Sequence, residues 1–400
     1  MMEAIVQTIL AKMGKVRKPE LTALSVLFTA ILTVCGKVNF MNLSRYSQRH
    51  EKTYRRQSKK GLKAGKFNAA FVSLEIPEDH EVIGLLDASF APKSGKQTFG
   101  LDRFYNGSHG RVERGLELSL LAVVDTVTEN AYAIHASQTY TRTLYPLITR
   151  TEHYLMQVQE NRGNLPERVQ YLAVDSAYAN APFIEGVLDQ KLEVISKLRQ
   201  NANLHYVYEG AQTGKGAPRK YDGKIDFSDL SRFTRLTDVE SGVELYTLVV
   251  WHRTWKRKIR LGLLVNHREG KKVQPILLFS TDLNLSAEKI LKFYKLRFQI
   301  EFLFRDAKQF TGLSDCQARD EMSLNFHFNT SFMVLNLAKR EARLQHSGTD
   351  SFVFSMNNVK RRALNNHLLE TFIDQLDLSP TLIKAHPNYE TLRDYGIIAA

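Results

Sequence analysis

The alternation of apolar and polar positions divides the chain into a helical beginning, a middle of strands and helices, and a helical end. Apolar runs with the length of buried strands lie at 82–87, 116–124, 131–138, 169–175 and 192–197. Helical periodicity occurs at 144–161 and 182–190. Buried strands that alternate with helices are typical of an α/β sheet, so the pattern predicts an α/β fold.

This alternation stops between 200 and 284. A loop rich in Gly, Lys and Arg at 210–224 is followed by strand patterns at 245–252, 258–266 and 273–281. The pattern predicts a β-rich insertion, and helical periodicity returns at 325–344 and 356–376. We therefore predict five parts: a helical domain at 1–75, an α/β core at 76–199, the insertion at 200–284, the rest of the core at 285–320, and C-terminal helices at 321–400.

A single amphipathic helix is predicted from Leu291 to Phe310, with Ser286 as its N-cap and Gly312 beyond its end. Its apolar stripe, the predicted core face, consists of Leu296, Ile300, Leu303 and Ala307. The polar stripe consists of Tyr294, Arg297, Glu301 and Lys308, with Arg305 beside them.

A polar stripe of this kind is ordinarily a solvated charged face. Here phenylalanines surround it, at positions 293, 298, 302 and 304, and it holds one carboxylate among cations and a phenol. These features favour a site that binds phosphate and a metal ion. Arg297 could bind a phosphate with two hydrogen bonds, Lys308 could add a point charge, and Tyr294 could donate a hydrogen bond.

The positive charge is concentrated near the beginning of the chain. Residues 1–74 have fourteen Lys and Arg against three Glu, which is +11 of the whole chain's +13. Such an excess indicates a polyanionic partner, most simply nucleic acid, with a membrane surface as the alternative. The apolar run from Leu21 to Cys35 is too short to span a bilayer, and Val34 fits poorly before a signal-cleavage point, so we expect no membrane partner. Two distant cysteines fit a reducing, cytoplasmic setting.

The basic region has two possible structures. A helix from Leu21 to Cys35, ended by Gly36, is followed by a predicted helix from Leu43 to Gln57, with Asn42 or Ser44 as its cap. The second helix would carry Arg45, Arg49, Lys52, Arg55 and Arg56. This order is compatible with a helix-turn-helix that enters the major groove of DNA, and equally with a helical bundle that has a basic surface. Residues 59–66 are predicted to be a flexible basic linker.

Two carboxylates come at the ends of predicted core strands, Asp87 and Asp175. Ligands of α/β sheets bind at the carboxyl ends of strands, so these two are weighed together with Glu301. Other acids, Asp102, Asp125 and Asp189, fall in turns or at a helix end, and a turn or cap is the ordinary role of any one strand-end Asp. Three converging carboxylates would repel by roughly 4 kcal/mol per pair and need protons or cations. An all-oxygen set favours magnesium or manganese.

The chain resembles a known family at two motifs. Tyr294-x2-Arg297-x3-Glu301-x6-Lys308 matches the Y-R-E-K signature of bacterial insertion-sequence transposases of the "insertion sequence four" family. Asp175-Ser176-Ala177-Tyr178 is similar to that family's second-Asp motif, and the resemblance covers about residues 80–315. Phe298 stands where many relatives have Trp, and Ala177 where Gly is frequent.

The resemblance implies an RNase H-like core and cut-and-paste DNA transposition. Asp87, Asp175 and Glu301 would hold two divalent metal ions, Mg or Mn, for cleavage at the transposon ends and strand transfer. The partners would be double-stranded DNA, as inverted-repeat ends and target, bound by a homodimer in the cytoplasm, associated with the nucleoid.

Some relatives use a hairpin end with a flipped base, and Trp251 or Trp255 could stack on such a base, although a Trp in a strand is more often a core residue. Two alternatives remain for the function. One is a transposase-derived DNA-binding protein that no longer cleaves, and the other is a stand-alone RNase H-like nuclease.

Overall fold

The computed structural model describes residues 2–14, 17–212, 214, 216–240, 242–267, 275–345 and 354–398. Its strands are β1 (Val82–Pro92), β2 (Asp102–Asn106), β3 (Arg111–Asp125), β4 (Ala131–Gln138), β5 (Tyr171–Val174), β6 (Glu193–Lys197), β7 (Leu204–Val207), β8 (Tyr221–Lys224), β9 (Thr234–Glu240), β10 (Val243–His252), β11 (Arg257–Asn266) and β12 (Ile276–Ser280). Its helices are α1 (Met2–Lys12), α2 (Lys18–Thr33), α3 (Phe40–Leu43), α4 (Glu51–Ser58), α5 (Ala64–Glu75), α6 (Arg150–Asn161), α7 (Ala181–Asp189), α8 (Ala287–Leu296), α9 (Gln299–Phe310), α10 (Glu321–Gln345), α11 (Met356–Gln375), α12 (Pro380–Lys384) and α13 (Tyr389–Arg393).

The strands of the described residues form one mixed sheet with helices on its faces. Its order is β2-β3-β1-β5-β6-β12-β11-β10-β7-β8, with β4 beside β3 and β9 beside β10. The pairs β1–β5 and β5–β6 are parallel, and the other pairs are antiparallel. The predicted α/β class with a mixed sheet is confirmed, and the arrangement agrees with the predicted RNase H-like core.

The first core strand is longer than the sequence predicts. It was expected to end at Asp87, but β1 continues to Pro92 because β3 pairs with it without interruption from Val82↔Asp125 to Pro92↔Gly115. Asp87 therefore lies in the middle of a strand and not at its end. Residues 88–114, for which the apolar pattern predicts no strand, contain the second half of β1, all of β2 and the start of β3.

Asparagine side chains cover the free edge of the core sheet. Strand β4 pairs only with β3, so one edge of its backbone has no strand partner among the described residues. On α10, Asn329 exchanges hydrogen bonds of 2.9 Å with both backbone groups of Ala136, and Asn336 does the same with Ala133 at 3.0 and 2.9 Å. On α5, Asn68 donates to the Ile134 carbonyl at 2.9 Å. Buried amides thus satisfy an edge that would otherwise attract another strand.

The N-terminal helices begin and end differently from the prediction. The expected helix from Leu43 to Gln57 is wrong: α3 ends at Leu43, and α4 begins at Glu51. The expected caps are also wrong, because Asn39 accepts from the backbone of α3 at 3.0 Å and His50 from that of α4 at 3.2 Å. The predicted linker at 59–66 runs directly into α5, which packs against β4 and α10.

The strands of the predicted insertion extend the core sheet, because β12 pairs with β6 and carries β11, β10, β7 and β8 beyond it. The start of the predicted strand at 273–281 lies outside the described residues, and β12 begins at Ile276. Among the described helices, none combines the length and the apolarity that crossing a lipid bilayer needs.

The predicted helix from Leu291 to Phe310 is wrong as one continuous helix. It is divided into α8 and α9 by a 3-10 turn at Arg297 and Phe298, both of which keep right-handed helical dihedral angles. Around this turn, Phe298, Ile300 and Glu301 donate to carbonyls three residues back, as in a 3-10 helix. The Ser286 cap is confirmed by its hydrogen bond from the Lys289 amide at 3.3 Å. The apolar stripe is confirmed too, since all four of its members are buried.

Candidate active site

The parallel pairing of β1 with β5 places two aspartates side by side. The last pair of that ladder is Leu86↔Val174, and Asp87 and Asp175 are the next residues on their strands. Neighbouring strands are about 5 Å apart. The two carboxylates therefore leave the sheet at the same point, where β5 ends and β1 continues. Each carboxylate accepts the amide of the following residue, from Ala88 at 2.8 Å and from Ser176 at 2.6 Å.

Arg297 connects this point of the sheet to the helix pair. Its guanidinium donates from Nη1 to Asp87 Oδ2 at 3.3 Å and from Nη2 to Glu301 Oε1 at 3.1 Å. The Arg297 side chain is only 7% exposed, whereas those of Asp87 and Glu301 are 20% and 48% exposed. Its Nε atom is buried and has no hydrogen-bond partner among the residues that the structure describes. The arginine predicted to bind a phosphate thus forms an ion pair with two of the predicted metal ligands.

The ionisation of Asp87 reflects this crowding. Burial raises its pKa to about 6, Arg297 and the Ala88 amide oppose the rise, and the charges of Asp175 and Glu301 add to it. All three carboxylates therefore lie within electrostatic reach of one another. The pKa of Arg297 is raised, because the surrounding acids and Tyr294 outweigh its burial. One guanidinium is the main counter-charge for a cluster of acids.

The donor set fits a hard divalent cation, since all three groups are carboxylates. Within the described part of the chain, however, no three acidic, histidine or cysteine side chains are placed to hold a metal ion. Two of these carboxylates, Asp87 and Glu301, instead share the Arg297 guanidinium.

The remaining polar residues of the helix pair differ in their surroundings. Lys308 donates from Nζ to Ser89 Oγ at 2.8 Å, and burial lowers its pKa. Tyr294 is half-buried, its ring lies beneath the Arg297 guanidinium, and burial raises its pKa. Arg305 instead donates to Asp306 at 2.9 Å.

Two residues near the acids were missed or only partly recognised from the sequence. Ser89, the partner of Lys308, lies two residues after Asp87 on β1, so strand periodicity puts it on the same face and could have identified it. Tyr178 follows Asp175 in the short 3-10 turn Ser176–Tyr178 and is buried against Tyr154 and Phe183. Burial, with the nearby charge of Asp87 among other causes, raises the pKa of Tyr178.

The competing aspartates have structural surroundings. Asp125 accepts hydrogen bonds from the Val127 amide at 2.9 Å and from the Thr128 hydroxyl at 2.7 Å, and it also contacts His80. The first two contacts close the turn after β3. Asp102 lies at the start of β2, and Asp189 is the last residue of α7.

Both tryptophans of the insertion are buried, at 8% exposed for Trp251 and 9% for Trp255. The Trp255 ring stacks on His252 with centroids 3.6 Å apart and packs against Phe279 on β12. Trp251 stacks loosely on Tyr221 and lies beneath the Lys220 ammonium. This placement gives no support to base stacking by either ring, and that role stays a prediction.

The five cations predicted to read DNA are all exposed, but they do not share one helix. Arg45 and Arg49 lie between α3 and α4, and the other three lie on α4. Arg55 also contacts Glu51 at 3.4 Å.

Comparison with known protein families identifies a family for this chain. A family model described as a transposase DDE domain matches residues 78–337, which is more than half of the chain. No curated protein matches the chain at a significant level.

Proposed function

The chain belongs to the family of proteins with a DDE transposase domain, and we propose that it cleaves DNA at the ends of a mobile element and joins them to target DNA. The observation that carries this proposal is that Arg297 pairs with both Asp87 and Glu301, while Asp175 follows the strand that lies beside Asp87. Two of the acids leave neighbouring strands at one level of the sheet, and the third shares a guanidinium with Asp87. We propose that these three acids are the Asp, Asp and Glu of the family's name.

Proteins of this family use divalent metal ions, and we propose that Asp87, Asp175 and Glu301 hold two of them, Mg or Mn. The chemistry such ions supply when bound is activation of a water or a 3′-hydroxyl and stabilisation of the leaving oxygen. A guanidinium and a divalent ion at the same carboxylates repel each other. Arg297 is thus the counter-charge of the metal-free protein, and its side chain becomes available to a DNA phosphate once the acids have another cation.

Three residues of this chain would position the phosphodiester. Lys308, fixed by Ser89, holds an ammonium group two residues along β1 from Asp87. Tyr294 presents a half-buried hydroxyl whose proton is retained because burial raises its pKa. Arg297, already beside Asp87 and Glu301, supplies a planar donor pair that suits phosphate oxygens. The match of these residues to the Y-R-E-K signature belongs to the same proposal.

The division of the chain follows from this assignment. We propose that residues 1–75 bind DNA with exposed cations, that 76–199 and 285–320 form the catalytic core, that 200–284 is an insertion and that 321–400 are C-terminal helices. Two element ends must be processed together, which supports a homodimer on DNA.

One assay separates the proposed activity from its alternatives. The protein is incubated with Mg²⁺ and duplexes that carry the inverted repeats flanking its own gene, together with a supercoiled target plasmid. Products joined to the plasmid are expected. Nicking without joining would identify a nuclease, and a gel shift without any cleavage would identify a DNA-binding protein.

A further inference from the structure

A large cationic cavity lies where three distant segments of the chain meet. Its volume is about 850 Å³. One wall is formed by the N-terminal helices between Lys37 and Lys59, a second by the end of β1 and the loop to Thr98, and a third by residues 314–323. The cations that line it are Lys37, Arg55, Lys59, Lys93 and Arg319.

The acids of the cavity neutralise only part of this positive charge, and Asp320 lies within electrostatic reach of Lys59. Asp315 accepts the Val38 amide at 2.8 Å, and Asp320 accepts the Ser323 amide at 2.9 Å, so both acids hold backbone in place. In the described part of the chain, Lys37, Lys59 and Arg319 form no salt bridge. The cavity thus has an excess of three positive charges over its two acids.

Two of the cations are close enough to repel each other. Lys93 donates to the Cys316 carbonyl, and its pKa is lowered by burial and by the neighbouring charge of Arg319, against the opposing effect of the Cys316 thiol. The thiol itself is paired with His327: burial opposes ionisation, but His327 and Lys93 together hold the pKa of Cys316 below its ordinary value. Lys93 and Arg319 therefore bring two positive charges close together in the lining of the cavity.

The cavity is connected to the candidate active site by the strand that carries Asp87. Lys93 follows the end of β1, six residues beyond Asp87, which corresponds to about 20 Å along an extended strand. A second cavity, of about 570 Å³, shares Lys37 and Asp315 with the first. Lys308 lines this second cavity together with Lys360 and Arg361. Cationic side chains therefore continue from Lys308 to the N-terminal helix α4.

We infer that the cavity between α4, the end of β1 and residues 314–323 binds backbone phosphates of the DNA that enters the active site. This inference rests on the proposed function. It adds the path of the DNA between the N-terminal helices and Asp87. A chain of phosphates fits better than one small anion, because the five cations come from three walls of a cavity much larger than one phosphate. The contacts would be to the backbone and would carry no sequence information.

The experiment measures how the affinity of the full chain for a labelled duplex of about 40 base pairs depends on KCl, by fluorescence anisotropy without metal. Lys59 and Arg319 are exposed, so their replacement by Gln leaves the core intact. Each lost phosphate contact reduces the magnitude of the slope of log affinity against log salt by about 0.9. We expect the magnitude of this slope to be smaller by about 1.8 in the Lys59→Gln/Arg319→Gln variant than in the wild type.

Two further variants serve as controls. Lys191→Gln/Lys384→Gln removes the same charge from exposed positions that lie outside residues 1–75 and do not line the cavity, and should keep the wild-type slope. Lys59→Arg/Arg319→Lys keeps the charge and should keep the slope. A cavity variant that behaves like the Lys191/Lys384 control, while the wild type binds DNA, would overturn the inference alone. A wild type that binds no duplex would overturn the proposed function and this inference with it.

Inorganic phosphate distinguishes a site for small anions. The melting temperatures of the wild type and of the Lys59/Arg319 variant are measured with and without phosphate, at an ionic strength matched with KCl. Suppose that phosphate stabilises only the wild type, and that the two proteins show the same salt slope for duplex binding. The cavity then binds free anions, and the inference about DNA is wrong. An altered duplex slope without a specific effect of phosphate supports it.

Discussion

Arg297 and Asp87 form an ion pair of 3.3 Å across 210 positions of sequence, and the arginine side chain is only 7% exposed. The same guanidinium reaches Glu301, so it joins a core strand to the helix pair that follows the insertion. A buried cation that bridges two acids of the candidate active site has consequences for the binding of a metal ion, for the pH dependence of stability and for the path of the helix.

Removal of the guanidinium should strengthen metal binding. In Arg297→Ala the carboxylates of Asp87 and Glu301 lose their counter-charge, which at an effective dielectric near 20 interacts with each by a few kcal/mol. We expect Mn²⁺ to bind the DNA-free variant at least about tenfold more tightly than the wild type, as measured by titration calorimetry. Arg305→Ala, which removes a cation paired with Asp306, is the matched control and should bind Mn²⁺ like the wild type. Equal affinity in Arg297→Ala and the wild type would show that the arginine does not compete with the ion.

The raised pKa of Asp87 predicts the pH dependence of stability. Its pKa is about 6 in the folded protein against an ordinary 3.8, so the folded state binds the proton more tightly than the unfolded state does. The contribution of Asp87 to the free energy of unfolding therefore decreases as pH rises from about 4 to about 6, and no longer changes above pH 6. In EDTA, Asp87→Asn should gain stability relative to the wild type over this window, on the order of 3 kcal/mol, measured by urea unfolding.

Glu113 provides a comparison of opposite sign. Hydrogen bonds from Asn106, His109 and Arg111 lower its pKa to about 2. Its contribution to stability is therefore present above its ordinary pKa and is lost as pH falls toward 2. Glu113→Gln should accordingly be less stable than the wild type at neutral pH.

A stability difference between Asp87→Asn and the wild type that does not change between pH 4 and pH 7 would contradict the assignment of Asp87.

The Lys308–Ser89 hydrogen bond should matter for cleavage more than for folding. Ser89→Ala removes the acceptor that fixes the ammonium, and Lys308→Ala removes the charge itself. We expect cleavage of bound DNA to slow by about tenfold in Lys308→Ala and by less in Ser89→Ala, in single-turnover assays. Lys295→Ala, at an exposed lysine of α8, is the control. If Lys308→Ala cuts as fast as this control, Lys308 has no part in positioning the phosphodiester.

The exposed arginines of the N-terminal region should determine much of the electrostatic attraction to DNA. Replacing Arg45, Arg49, Arg55 and Arg56 by Gln should lower the salt slope of duplex binding by up to about 3.6, at about 0.9 per phosphate contact. The affinity would be measured on duplexes that flank the protein's own gene and on unrelated duplexes. An unchanged slope would exclude this region as the DNA-binding surface.

The sequence predicted those parts of the fold that depend on local pattern. The hairpin of β3 and β4, the Ser286 cap and the buried stripe of the helix pair follow from periodicity and capping rules. The strand before Asp175 was also expected, and β5 ends at Val174. In each case the residues that decide the structure lie within a few positions of one another.

The remaining features depend on distant partners. The turn at Arg297 contains neither Pro nor Gly, and it lies where the guanidinium reaches Asp87, a residue 210 positions away. The length of β1 is set by its ladder with β3, which extends past Asp87 to Pro92. The asparagines that cover β4 come from α5 and α10. Since none of these partners is adjacent in sequence, periodicity could not predict them.

If Glu301 acts with Asp87 and Asp175 in metal-dependent cleavage, replacing its carboxylate by the amide of Gln should stop cleavage and leave DNA binding intact. The variant keeps the size of the side chain and its position on α9, so it should bind duplexes that carry the ends flanking its gene about as tightly as the wild type. Glu288→Gln, at an exposed acid of α8, is the matched control.

The measurement is the single-turnover rate of cleavage at those ends in Mg²⁺, with binding measured in parallel. We expect Glu301→Gln to cut at least about 100-fold more slowly than the wild type, a rise of about 2.7 kcal/mol in the barrier, while Glu288→Gln cuts normally. Cleavage by Glu301→Gln at the rate of the Glu288→Gln control would remove Glu301 from the active site.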